Sequence, residues 1–424
     1  MSVVAPQKIT VPDKYDIIPI HTSDRSTFKD CRRRWAWSSP AQQNLVPKVS
    51  IYGIYVPFWF GEGIHYALEK HYDPFLKEDA EVAWETWFNL QWIGGKIKES
   101  ELEQFKDRKP YQDQDGQWHT QGLIDVLPDV DYEKFEALLE LGKGMMRNYK
   151  DYSERNDDFD VVATEHIFSV PIMDPTTGRP LYMEDYREMP KDWEPSLDGN
   201  EYGALYQEGL KQVHARGRMD LIVFGRTTEN YAIIDHKTAE TIGEDYFDHV
   251  DLDEQCTTYI WAAEIEARMY GLPYTDIAGI VYQAIRKGFP TPPSITTRGL
   301  PSLNKAQETT TAALFERTIK EMGLEEYFKM DDKMQAYYTY LVEKGDKNFI
   351  QRHPVKRNRH QKDNAGLRLY MEAMDMLDKP RIYPNPTKNY SCLKCRFRGP
   401  CVAIESGYDW EDMIKDGYER NFDR

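Results

Sequence analysis

Apolar and polar positions change their period along the chain, and the changes mark out elements. Thr22 to Trp37 opens on cap-type residues and continues with mixed basic and aromatic ones, which predicts a helix. Gly61 to Tyr72 places Ile64 and Leu68 on one helical face, and Glu81 to Trp92 has the same period. Asp131 to Arg155 carries Phe135, Leu138, Leu139 and Met146 at core-like spacing. The pattern then becomes strand-like over Thr164 to Ile172. Two short apolar runs, Met219 to Phe224 and Tyr231 to Asp235, are joined by the turn Gly225 to Asn230. Leu252 to Tyr270 returns to helical period, and Ile277 to Ile285 reads as a buried strand. The resulting order is helix, three strands, helix, strand, an α/β arrangement.

Between the first two strands lies an insertion, Asp174 to Gln212, rich in Pro, Gly, Tyr and acids. A structureless loop of that length is uncommon in a compact domain, so a partly ordered lid or interaction flap is expected. Beyond Pro290 the pattern is mostly helical, most clearly over Lys305 to Met322 and Ala365 to Leu377. The expected units are a helical region over 1–160, a core over 161–290 with insertion 174–212, a helical region over 291–380 and a C-terminal segment over 381–424.

Composition narrows the picture. With 40% hydrophobic and 13% aromatic residues in 424, a substantial core can form. The net charge of −17 runs against a broadly basic nucleic-acid surface, but local clusters occur at Arg32 to Arg34, at Arg216 and Arg218, and at Arg352 to Lys362. The last fits a solvated loop as well as a contact surface. No apolar run reaches the length of a membrane span and the first residues lack the order of a signal peptide, so no membrane partner and a cytoplasmic location are expected. The phosphate-binding pattern of ATP motors is absent. Five cysteines are present, and three of them, Cys392, Cys395 and Cys401, fall within ten residues. That clustering suits a metal site better than a secreted disulfide framework, with structural zinc one reading.

The candidate chemistry lies between Gly217 and Thr238. Asp220 starts one strand, and Asp235 and Lys237 end the next as Asp-x-Lys. Side chains two apart on a strand share a face, so Asp235 and Lys237 address one site, and pairing of the two strands would bring Asp220 to it. Phosphodiester hydrolysis needs a hard cation such as Mg²⁺ or Mn²⁺, carboxylates to hold it, and a lysine to orient or deprotonate water or to neutralise developing charge. The carbonyl of His236 is a further oxygen donor.

This constellation resembles the PD-(D/E)XK nuclease superfamily, in the branch similar to RecB and AddB. Gly61-Glu62-Gly63-Ile64-His65-Tyr66-Ala67-Leu68-Glu69 fits the upstream histidine helix of that branch, and Gln255 with Tyr259 fits its Q-x-x-x-Y pattern. The resemblance implies a restriction-endonuclease-like core with a mixed sheet and flanking helices. It implies metal ligation by His65, Asp220, Asp235 and His236, and catalytic roles for Asp220, Asp235, Lys237, Gln255 and Tyr259. Glu165 is a weaker further candidate. Cys31 followed at distance by C-x2-C-x5-C resembles AddB and the CRISPR-associated adaptation nucleases. That likeness implies a [4Fe-4S] cluster on Cys31, Cys392, Cys395 and Cys401, stapling the N- and C-terminal regions, with Cys256 a bystander. The expected activity is that of a divalent-metal DNA nuclease, first an exonuclease acting on single strands or strand ends in recombination or repair. A nuclease subunit working with a helicase or integrase, and a non-enzymatic DNA-binding or assembly protein that keeps the fold, are the alternatives.

Overall fold

Runs of β-branched and aliphatic residues in the middle of the chain build a seven-stranded mixed sheet. The computed structural model describes residues 12, 16–48, 56–96, 111–112, 116–122, 132–185, 210–243, 245–305, 309–378, 382–384, 390–393 and 395–420. The strands are β1 (Ile17–His21), β2 (Phe159–Pro171), β3 (Tyr182–Glu184), β4 (Leu210–Gly225), β5 (Tyr231–Ala239), β6 (Ile277–Arg286) and β7 (Ile350–Val355). The path runs β1-β4-β5-β6-β7, and β2 and β3 also pair with β4. The long β4 is therefore the hub. Its first half pairs parallel with β1 and antiparallel with β3, and β2 runs antiparallel along most of it. The antiparallel β4–β5 ladder covers only Leu221 to Phe224 against Ile234 to Tyr231. Next, β6 joins β5 in parallel and β7 joins β6 antiparallel.

Helices cover both faces. They are α1 (Thr22–Asp30), α2 (Arg32–Ser38), α3 (Val56–Tyr72), α4 (Ala80–Trp92), α5 (Tyr132–Asn156), α6 (Glu254–Tyr270), α7 (Ala312–Glu321), α8 (Glu325–Met330), α9 (Asp332–Lys344), α10 (Arg359–Leu377), α11 (Tyr390–Leu393), α12 (Arg398–Ser406) and α13 (Trp410–Gly417). On one face Phe28, Trp35, Ile260, Ala263, Leu369 and Met376 pack on Val213, Ile222 and Ile233. On the other, Trp59, Phe60, Ile64, Trp84, Phe88 and Tyr149 pack on Leu221, Val223 and Ile234. Neighbouring strand residues such as Ile233 and Ile234 go to opposite layers, as strand geometry requires. Among the described residues no helix is long and apolar enough to cross a membrane.

Several expectations change. The helix expected over Thr22 to Trp37 is two helices, because Cys31 is extended at φ −156° and ψ 107°. Its amide closes α1 on Thr27, and its sulfur accepts the Arg34 amide that opens α2. The N-terminal region contributes β1 as well as helices. Likewise the region over 291–380 contributes β7, whose Arg352, His353 and Pro354 look like loop residues in the sequence. Pro354 is tolerated because it lies on an edge strand. The helix expected from Lys305 begins at Ala312, capped by Thr311, and 306–308 lie outside the described residues. Of the expected insertion, 186–209 lie outside the described residues; its two ends are β3 and the start of β4.

Short strands Leu45–Pro47 and Tyr418–Arg420 pair with each other, and Trp37, Leu45, Phe397 and Tyr418 form a small core beside them. The two ends of the described chain thus pack together.

Candidate active site

The β4–β5 ladder ends at Leu221 and Ile234, so the next residues, Asp220 and Asp235, stand where the two strands part. Parting would leave the amide of His236 without an acceptor. The Asp220 carboxylate replaces the missing carbonyl, with Oδ2 2.6 Å from His236 N. Its other oxygen lies 3.4 Å from Nδ1 of His65 on α3. Gly63 makes that approach feasible: a Cβ there would lie 2.3 Å from Trp87 and 2.6 Å from Trp84, so only glycine lets α3 sit this close to α4. A second close approach occurs at Gly217, where a Cβ would meet the Phe168 ring at 2.7 Å.

Glu165 on β2 completes the group. Thr164 pairs with Leu221 and His166 with Met219, which sets Glu165 across from Asp220. Its φ of +45° is unusual for a residue with a side chain and stores local strain. Oε1 of Glu165 is 4.0 Å from His65 Nδ1. The donor atoms of His65, Glu165 and Asp220 all lie within 4.8 Å of one another, the only such set of metal-type side chains among the described residues. Donors around one hard cation at about 2.1 to 2.4 Å fall in that range of mutual separations, and one imidazole with two carboxylates suits Mg²⁺ or Mn²⁺.

Asp235 lies apart from this trio. It is 2% exposed, and its Oδ2 is 2.7 Å from Nζ of Lys237. Its Oδ1 accepts from Gln255 Nε2 at 3.4 Å. Gln255 stands at the start of α6, where Asp253 caps the helix. Tyr259, one turn on, packs edge-on against Phe168 and hydrogen-bonds Gln255. The structure therefore brings His65, Asp220, Asp235, Lys237, Gln255 and Tyr259 to one end of the sheet, and adds Glu165.

The electrostatics separate these groups. Burial lifts the Asp235 carboxyl to about 6, with the Asp220 charge adding to the shift and Lys237 opposing it. Burial and Asp220 raise Glu165 to about 7, against the pull of Arg218 and His65. Asp220 is buried too, but His65, Lys237 and His236 outweigh that and hold it well below the usual carboxylate range. Burial works against a charged His65, yet Asp220 and Glu165 hold its pKa above the ordinary value. Lys237 is likewise raised, because Asp235 and Asp220 outweigh the burial, so it is an ammonium at neutral pH.

The His236 ring points to the opposite layer. It stacks on Tyr72, and its Nδ1 is 3.1 Å from Gln283 Nε2. Gln283 also donates to Tyr149 and accepts from Arg352, and Arg352 reaches Asp157 at 2.6 Å. Tyr72 closes the network on Tyr149 and Asp157 at 2.8 and 2.7 Å. This buried network grips the Asp-x-Lys strand from behind. Pattern reading had no signal for it beyond unexplained polar residues in apolar runs.

A model of the PD-(D/E)XK nuclease superfamily matches residues 22–402, nearly the whole described chain. The chain belongs to the PD-(D/E)XK nuclease superfamily. No curated protein matches it. The mixed sheet with helices on both faces is consistent with the fold of that superfamily, whose members are generally metal-dependent nucleases.

The cysteines are placed differently from the carboxylates. Cys31 joins α1 to α2, Cys392 is on α11 and Cys401 on α12. Cys395 and Cys401 pack against the Trp37 core, and Arg33 donates to the Cys401 sulfur at 3.3 Å. Among the described residues no three thiols come within 4.8 Å of one another. Cys256 is buried in α6, and burial raises its thiol to about 12.

Proposed function

We propose that this PD-(D/E)XK protein is a divalent-metal deoxyribonuclease of the RecB/AddB-like branch, an exonuclease acting on single strands or strand ends in recombination or repair. The observation that carries the reading is the convergence of His65, Glu165 and Asp220 beside the Asp235–Lys237 pair. Mg²⁺ or Mn²⁺ held by His65, Glu165 and Asp220 would polarise the phosphoryl oxygen and acidify a bound water. Asp235 and the His236 carbonyl are the further oxygen donors that this reading would bring to the ion. Lys237, paired with Asp235, would neutralise the negative charge that develops on the phosphoryl group. Gln255 holds Asp235 from α6, with Tyr259 beside it on the same helix.

Labelled single- and double-stranded DNA incubated with Mg²⁺ or Mn²⁺ should be degraded from ends, and chelation should stop the reaction. Asp220→Asn and Asp235→Asn should lose at least about two orders of magnitude in rate while remaining folded. Full turnover by Asp235→Asn would remove the proposed mechanism. Cleavage only in the presence of a co-purifying ATPase would favour the subunit reading.

The cysteines extend the proposal. Cys31, Cys392, Cys395 and Cys401 would hold a [4Fe-4S] cluster, with zinc the alternative. The support is that Cys395 and Cys401 sit against the α2 core, close to where Cys31 ends α1. Protein purified without oxygen should be brown, with iron rather than zinc by elemental analysis. Stoichiometric zinc in colourless protein would replace the cluster by zinc.

A further inference from the structure

Arg218 stands two residues before Asp220 on β4, at the rim of the candidate metal site. Its Nε pairs with Oε2 of Glu165 at 2.6 Å, while Glu165 turns its other oxygen toward His65. The exposures differ sharply: the Glu165 and Asp220 side chains are 14% and 10% exposed, and that of Arg218 is 60%. The pair is open to solvent on the Arg218 side alone, so Arg218 offsets the charge of the largely buried Glu165 and still presents the rest of its fork to solvent. A guanidinium carries five donors in a planar fork, and Nε is the one that meets Glu165.

The charge balance gives this fork a task. A backbone phosphate approaching the site meets the carboxylates of Glu165, Asp220 and Asp235, with Lys237 withdrawn against Asp235. Arg218 projects a cation into solvent beside them. We infer that Arg218 is a phosphate-binding residue of the nuclease site. Its terminal nitrogens grip a phosphate adjoining the bond that is cut, bidentately, while Nε stays on Glu165. The arriving strand is thereby joined through one side chain to a carboxylate of the metal trio. The Glu165 carboxylate turns one oxygen to each of the two partners, Arg218 and His65. This inference rests on the nuclease reading.

The test is the salt dependence of binding of a labelled oligodeoxynucleotide, measured by anisotropy without divalent metal, for wild type, Arg218→Gln and Arg218→Lys. Removing one phosphate contact should lower the slope of log K against log salt by ~0.7 on a single strand. Arg218→Gln should show that loss and a raised KM for cleavage. Arg218→Lys should keep the slope but bind more weakly, because a point charge replaces the fork. A Mn²⁺ titration without DNA reports on Glu165 separately. An unchanged slope in Arg218→Gln, with or without weaker Mn²⁺ binding, overturns the assignment and leaves Arg218 as a counter-ion of Glu165. Wild-type protein that neither binds nor cuts DNA overturns the nuclease reading instead.

Discussion

At the scale of the residue, the site is a set of charges that burial would forbid singly and that neighbours make tenable. Asp235 and Lys237 illustrate it. Lys237→Met should leave the Asp235 carboxylate buried without its cation, costing about 3 kcal/mol, and should also abolish cleavage. Adding Asp235→Asn should restore the melting temperature but not the activity. Recovery of both would mean that the pair is structural only. His214 gives a pH signature away from the metal. It is buried against Ser169 and Gln212, and burial lowers its pKa to about 3. Because the folded value lies below the unfolded one of about 6.5, the unfolded chain takes up the proton first. The resulting stability, on the order of a few kcal/mol, is complete above about pH 6.5 and lost as pH falls toward 3. His214→Asn should therefore flatten the acid limb of Tm against pH between those values. An unaltered limb would show that His214 is not the group responsible.

Among elements, β5 is held from both sides, and the rear grip is testable. Arg352→Met would remove the cationic partner of Asp157, which keeps only the Tyr72 hydroxyl, and one partner of Gln283, both buried or nearly so, and should destabilise by about 3 kcal/mol. Cleavage should fall beyond what lost stability explains, since Gln283 orients His236 and with it the strand carrying Asp235 and Lys237. Wild-type kcat in folded Arg352→Met would show that the strand keeps its position unaided. Arg352 also marks the limit of what the sequence discloses. The hairpin from Met219 to Asp235, the Gln255 helix and the His65 helix are legible because period and turn chemistry act locally. The β7 strand is not, because Arg352 and His353 resemble surface charge until β6 supplies hydrogen bonds and Asp157 a partner. Glu165 is only half legible. Its carboxylate joins the trio through a positive φ and a cross-strand register, and neither leaves a trace in residue pattern.

For the whole molecule, the insertion expected over Asp174 to Gln212 leaves and re-enters the sheet at one place. Glu184 on β3 pairs with Leu210 on β4, so the two ends of the stretch between them are hydrogen-bonded neighbours. Whatever chain runs between them closes a loop whose mouth is already fixed by the ladder. Loop-closure entropy grows only slowly with length, about 0.6 kcal/mol per doubling. The core is therefore nearly indifferent to what is carried there, and the position behaves as a socket. A short glycine-containing turn in place of residues 186–209, or a whole folded passenger domain with adjacent termini, should leave Tm and Mn²⁺ affinity close to those of the parent. A large fall in either would show that the segment braces the core. If the socket holds, new chain can be carried at this one opening while the metal site stays untouched, by engineering or by descent.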